Sequence, residues 1–434
     1  MRDPTGGPGE DGGAMSLEGV LARVESVTQW QENLYRHLHS HPELSFQEAE
    51  TATEVERHLR DAGFEVQRIG GGVVGVLRNA PGPVVLVRAD MDALPVLEDT
   101  GLAYASTRTM VDAGGMSVPV MHACGHDMHV AAAVGAAALL ADARAEWHGT
   151  YVALFQPAEE NAGGARAMVD AGLVTLVPKP DVCLGQHVLT SPDAGQVGTR
   201  SGPMLSTAAS IRITVHGSGS HGSMPHLSVD PVVLASAIVL RLQTIVSREV
   251  SPFDFAVVTV GSLRAGTSAN IIPASATLLV NIRAYDERVR DHLVEAISRI
   301  VRAECAASRS PREPDIEVYD TYPLTDNDPE VTATVTAAFL RHFGTERVVA
   351  DMAPVTASED FSTIPDAFGT PYTYWGFGGF PAGGPRVPNH NPGFAPVIRP
   401  SLRTATEALV VAAMAYLDPV PTPAPSAASG GVGR

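Results

Sequence analysis

The 434-residue chain is expected to fold as an α/β protein, a mostly parallel sheet covered by helices and interrupted by an inserted ferredoxin-like α+β unit. Three observations predict this. Short β-branched apolar runs alternate with helical periodicity, the pattern of buried parallel strands joined by crossover helices. Residues 207–319 switch to a β-α-β-β-α-β order. The side chains best suited to chemistry fall just past apolar strands, where open α/β sheets gather functional groups.

In chain order, 17–38 reads as an amphipathic helix and 47–62 as a second that stops at Gly63. Strands are expected over 73–77, 84–87, 151–155 and 182–184, with helices over 129–143 and 165–171. The strand ends carry Asp90 and Asp92, then Glu159 and Glu160, then His187. In the inserted unit, strands at 211–215, 256–263, 276–283 and 316–318 surround helices at 230–248 and 287–302. A helix over 329–342 and a strand over 372–377 return to α/β character. The expected division is one discontinuous domain of 15–206 with 320–418, an insert of 207–319, and hinges near 200–206 and 319–326. The ends, 1–14 and 419–434, are rich in Gly, Pro and Ser and read as disordered.

Composition narrows the partners. With 44% hydrophobic and 18% charged residues the proportions are globular. A formal charge of −18 argues against nucleic acid, whose phosphates need clustered Lys and Arg. No apolar run is long enough to cross a bilayer, and the N-terminus lacks a signal-peptide core. Three cysteines, Cys124, Cys183 and Cys305, are an odd and sparse set that fits a reducing, cytoplasmic setting.

The densest cluster spans 122–129, where His122, Cys124, His126, Asp127 and His129 precede a helix. Thiolate and imidazole suit zinc and its borderline-soft neighbours, and a helix N-terminus favours the thiolate. Glu159 and Glu160 follow a strand; in extended chain their side chains diverge, so one can bind metal while the other acts as a general base. His187 follows another strand, and His390 lies in a Gly- and Pro-rich loop. Each feature alone has an ordinary structural explanation. A metal site accounts for all four together. Two polar loops in the insert carry His221 and Asn270, suited to oxyanion and substrate contact, and neither matches a phosphate cradle. The His37, His39, His41, Glu43 segment reads as helix capping and packing, and 358–361 as a helix N-cap in preference to a catalytic role.

These motifs together resemble the aminoacylase and carboxypeptidase G family of metallopeptidases, in particular the amidohydrolases that include hippurate and auxin-conjugate hydrolases. The resemblance spans about 37–396 and rests on HLHSHPELSF at 37–46, RADMDALP at 88–95, MHACGHDMH at 121–129, FQPAEE at 155–160, SHGSMPH at 220–226 and SANIIP at 268–273. It implies a zinc-peptidase-like catalytic domain with the insert as a lid and a homodimer formed through it. It further implies two divalent ions (Zn, Mn, Co or Ni). Cys124 would bridge them in place of the wider family's aspartate, with His126 and His187 on one ion and Glu160 and His390 on the other. Glu159 would be the general base and Asp92 would orient a ligand. His221, reaching across from a partner's lid, would steady the oxyanion, and Asn270 would touch a small N-acyl amino acid substrate. This chain has Asp90-Met-Asp92 where many relatives have His-x-Asp, and His126 is assigned the missing histidine's place. Three rival readings are a dipeptidase or carboxypeptidase of the same fold, a Cys124 nucleophile with His126 as base, and a catalytically dead metal-binding regulator.

Overall fold

The computed structural model describes residues 16–417, so the expectations for 1–14 and 419–434 lie outside the described residues. An eight-stranded sheet runs in the order Glu65–Ile69, Gly72–Ala80, Gly149–Gln156, Val84–Asp90, Val182–Ala194, Tyr372–Gly378, Val197–Gly198, Val348–Val349. The Gly149–Gln156, Val84–Asp90, Val182–Ala194 and Tyr372–Gly378 strands are parallel to one another and form its centre. The expected 73–77 strand is present within Gly72–Ala80 but runs antiparallel to both neighbours. One face of the sheet is covered by Val24–Ser40, His126–Asp142 and Ile398–Leu417.

Two expected helices shift for local reasons. The 17–38 helix is two, Leu17–Leu21 and Val24–Ser40, because the Arg23 N–H bonds three residues back to Val20 O and tightens the turn. The 47–62 helix is Ala49–Asp61, and Gly63 at φ +83° follows it, a conformation suited to glycine.

Thr207–His216, Ala256–Ala265, Ser275–Ala284 and Asp315–Tyr322 form a separate four-stranded antiparallel sheet. Pro231–Arg248 and Glu287–Ala307 pack on it around a core of its own. Asp230 and Asp286 accept backbone N–H groups at the starts of these helices, which explains where each begins. The two connections to the large sheet pair with each other as Gly202–Leu205 and Thr325–Asn327. The Pro231–Arg248 helix has the length and mean hydropathy of a membrane span. Its Leu234, Ile238, Leu242 and Ile245 are buried against the small sheet, while Val233 and Leu240 remain exposed.

Candidate metal centre

At the carboxyl ends of the central strands, five donor side chains meet. Gly125 makes the first turn possible: at φ +84° it starts the His126–Asp142 helix, and a Cβ there would lie 2.4 Å from Val188 Cγ1. Cys124 and His126 thereby sit on either side of a tight bend. Cys124 Sγ is 3.5 Å from His187 Nε2, and the Asn389 amide reaches within 3.4 Å of the same sulfur. His126 Nε2 lies 3.8 Å from Glu160 Oε1, and His390 Nε2 lies 3.4 Å from Glu160 Oε2.

The other ring nitrogens are already engaged. His126 Nδ1 faces Asp92 Oδ1 at 3.2 Å, and His187 Nδ1 faces the Val188 carbonyl at 2.7 Å. Both Nδ1 atoms therefore carry protons, and both Nε2 lone pairs point inward, the arrangement of metal-binding histidines. Asp92 is itself held by Ser45 Oγ–H at 2.7 Å.

Ions fit this donor set. His126 Nε2 and Glu160 Oε1 are buried without a hydrogen-bond partner among the described residues, a costly state that a shared cation relieves. Cys124, His126 and His187 come within coordination reach of one another, as do Cys124, Glu160 and His390. Two such triads sharing Cys124 define a pair of adjacent positions. His126, Glu159 and Glu160 also come within coordination reach of one another, while two further acidic or histidine clusters have their charge answered already. Asp90 is bound by Arg88 and His129, each at 2.6 Å, and Glu359 and Asp360 take up the Arg88 guanidinium.

Charge in the pocket is strongly perturbed. Burial pushes the Cys124 thiol up to about 12, with the Glu160 charge adding to it. Desolvation works here against the thiolate that a helix N-terminus favours. Burial also lifts Glu160 to about 8. Glu159 is held well above the usual carboxylate range by burial, then by Glu359 and Glu160. Burial opposes a proton on His126, yet Asp90 and Asp92 draw positive charge to it and raise its pKa well above the ordinary value, a preference that a cation on Nε2 satisfies in the proton's place.

Three sequence expectations need correction. Glu159 and Glu160 do not diverge as neighbours in extended chain; they sit in the single turn Glu159–Asn161. His187 lies inside the Val182–Ala194 strand, just beyond Gly185, where pairing with the Val84–Asp90 strand ends. Glu359 and Asp360 are no helix cap: they bind Arg88, and Glu359 lines the pocket. His39 does pack as expected, between Asp127 at 2.7 Å and Glu98 at 3.1 Å.

Beside these donors lies a cavity of about 250 Å³. One wall is apolar, with Leu189, Leu205, Val355 and Ala357. Arg283 also lines the cavity; it is the only arginine or lysine among the described lining residues, and no described carboxylate pairs with it. Its guanidinium donates to Thr356 O at 2.8 Å and Ser358 Oγ at 3.0 Å. Tyr322 completes the lining and donates to the Glu159 carbonyl at 3.3 Å. Sequence reasoning missed Arg283, Tyr322 and Asn389. Arg283 stands out in sequence only as a lone cation in an alternating strand, with nothing to place it at the site; the other two gave no signal. His221 and Asn270 share a small exposed ribbon, paired at His221↔Ile271, and neither lines this cavity.

The sheet order, the site at the strand ends and the Cys/His/Glu donor set define a metal-dependent hydrolase fold. The chain belongs to peptidase family M20/M25/M40, whose pattern extends over residues 86–415, and it is a metallo-amidohydrolase of that family. Thermostable carboxypeptidase 2 of Saccharolobus solfataricus is 36% identical over 352 residues, 80% of this chain and 85% of its own length. Hippurate hydrolase of Campylobacter jejuni is 37% identical over 337 residues, 76% of this chain and 83% of its own. The crystal structure of the Bacillus subtilis YXEP protein, described as a dinuclear metal-binding peptidase of the M20 family, superposes with a TM-score of 0.72. It is 28% identical, and the match covers 90% of this chain and 98% of that one.

Proposed function

We propose that the protein hydrolyses the amide bond of N-acyl amino acids, with Cys124, His126, Glu160, His187 and His390 holding two divalent ions. The observation that carries this is the cavity: the Glu159 carboxylate, which makes no hydrogen bond among the described residues, stands beside the donor set, and the same cavity is lined by apolar side chains and by Arg283, which no described carboxylate pairs with. When bound, such an ion pair lowers the pKa of a water toward about 7 and polarises the amide carbonyl. Glu159 takes the proton of the attacking water and returns it to the departing amine nitrogen. Arg283 pairs with the amino acid carboxylate. The acyl group lies against Leu189, Leu205 and Val355. Asp92 orients His126 through its Nδ1–H.

Among the rivals, a carboxypeptidase or dipeptidase is favoured by the carboxypeptidase relative. A peptide's free ammonium would meet the apolar wall, which supports acyl substrates instead. A Cys124 nucleophile is disfavoured by the place of its sulfur, which belongs to two donor triads and lies against His187 and Asn389. The intact Glu159 argues against a dead regulator. The test is a panel of N-acyl amino acids and dipeptides on metal-reconstituted protein, with and without chelator. Chelator-sensitive hydrolysis of the acyl series supports the reading. Chelator-resistant turnover abolished by a thiol alkylator contradicts it.

His221 and Asn270 act from a partner's lid in this reading, which fits their exposure away from the cavity and the exposed Val233 and Leu240 on the adjacent helix. We expect His221→Ala and Glu159→Ala each to be inactive alone. Their mixed dimer should regain turnover, because one of its two sites has both residues. Activity of the mixture no higher than that of either parent would rule out donation across a dimer.

A further inference from the structure

The 37–46 motif and the residues that follow it are not explained by metal ligation. We infer that Glu48 is a positioning residue for the Glu159–Asn161 turn, clamping the backbone beside the general base. This inference rests on the base role proposed for Glu159.

The turn is one that an L-residue chain resists. Ala158 and Ala162, on either side of it, both have left-handed backbone, at φ +50° and +57°. Gly164 closes it so tightly that a Cβ would lie 1.5 Å from Pro157 O. Such a conformation persists only where its surroundings impose it.

Remote side chains do so. Ala158 N–H donates to Glu48 Oε1 at 2.8 Å, and Glu160 N–H donates to Asp92 Oδ2 at 3.0 Å. The amides before and after Glu159 are thus each held by a buried carboxylate, and the Glu159 carbonyl is held by Tyr322. Asp360 Oδ2 accepts Ala165 N–H at 3.1 Å at the far end.

Glu48 does not cap the helix it precedes. It occupies the N-cap of Ala49–Asp61 but makes no side-chain bond to that helix. Capping is done by Glu43, which accepts the Glu50 and Thr51 N–H groups at 3.1 and 2.8 Å. Glu48 Oε1 instead accepts Phe46 N–H at 3.0 Å and turns its carboxylate to Ala158. Burial, then the nearby Asp92 charge, push it up to about 7, an unfavourable setting for a carboxylate with only a structural cap to serve.

The experiment compares wild type, Glu48→Ala and Glu48→Gln after metal reconstitution. For Glu48→Ala we expect kcat to fall about 10–100-fold, the scale of a small misplacement of a reacting group. KM should stay within about twofold and both metal equivalents should remain, since no substrate or metal contact is removed. Deuterium exchange in peptides covering 157–163 should quicken. Glutamine should restore most of kcat, because its amide oxygen still accepts both N–H groups. If the alanine variant does not fold, Glu48→Asp, one methylene too short to reach Ala158, replaces it with the same expectations. Wild-type kcat and exchange in the shortened variant, loss of metal in step with kcat, or glutamine no better than alanine would each overturn the clamp. A wild-type protein inactive on every acyl amino acid would remove the base role. The exchange result would then still decide whether Glu48 holds the turn.

Discussion

Replacing Glu159 with alanine is expected to lower kcat by about 10²–10⁴-fold, the usual worth of a positioned general base, while both metal equivalents stay bound. The reason is geometric. Glu159 Oε2 lies 4.0 Å from His126 Nε2, close enough to reach a water beside that donor, but its carboxylate makes no hydrogen bond among the described residues and faces the cavity. Its neighbour Glu160 lies at a similar distance from His126, 3.8 Å, but alone of the two also meets His390, at 3.4 Å. Burial and the adjacent Glu359 and Glu160 charges favour the protonated carboxyl, the form Glu159 holds after taking the water's proton. Steady-state kinetics with elemental analysis of the same sample checks this. Near-normal turnover would take Glu159 out of the base role.

Cys124→Ala should lose metal as well as activity. Its sulfur belongs to both donor triads, so its removal weakens two positions at once. The affinity loss should exceed the about 10–100-fold typical of losing a residue that only orients a ligand. Residual turnover should follow metal content across a titration. Full occupancy of the alanine variant by two ions would contradict the bridging assignment.

Much of this site was legible because its donors come in short, dense motifs. Cys124 and His126 lie two positions apart in front of a helix, and Glu159 and Glu160 are adjacent after a strand. The order of the inserted sheet was readable too, because its strands alternate and its helices start at Asp230 and Asp286. What stayed hidden depends on long-range contacts. Arg283 gains its meaning from the absence of a carboxylate partner, and Tyr322 from a carbonyl 163 positions away. Glu359 looked like a cap because Ser, Glu and Asp before a helix usually are; the buried Arg88 of the Val84–Asp90 strand redirected it. The final helix, Ile398–Leu417, was missed because it is buried nearly all round and shows no helical stripe.

The most direct test of the central claim is anomalous diffraction from crystals grown with manganese or zinc. Two peaks about 3.5–4 Å apart are expected, the spacing of two-metal hydrolytic sites. They should flank Cys124 Sγ, one against His126 and His187 and the other against Glu160 and His390, with Glu159 on neither. A single peak, or density centred on Asp90 and His129 or on Glu359 and Asp360, would contradict the account.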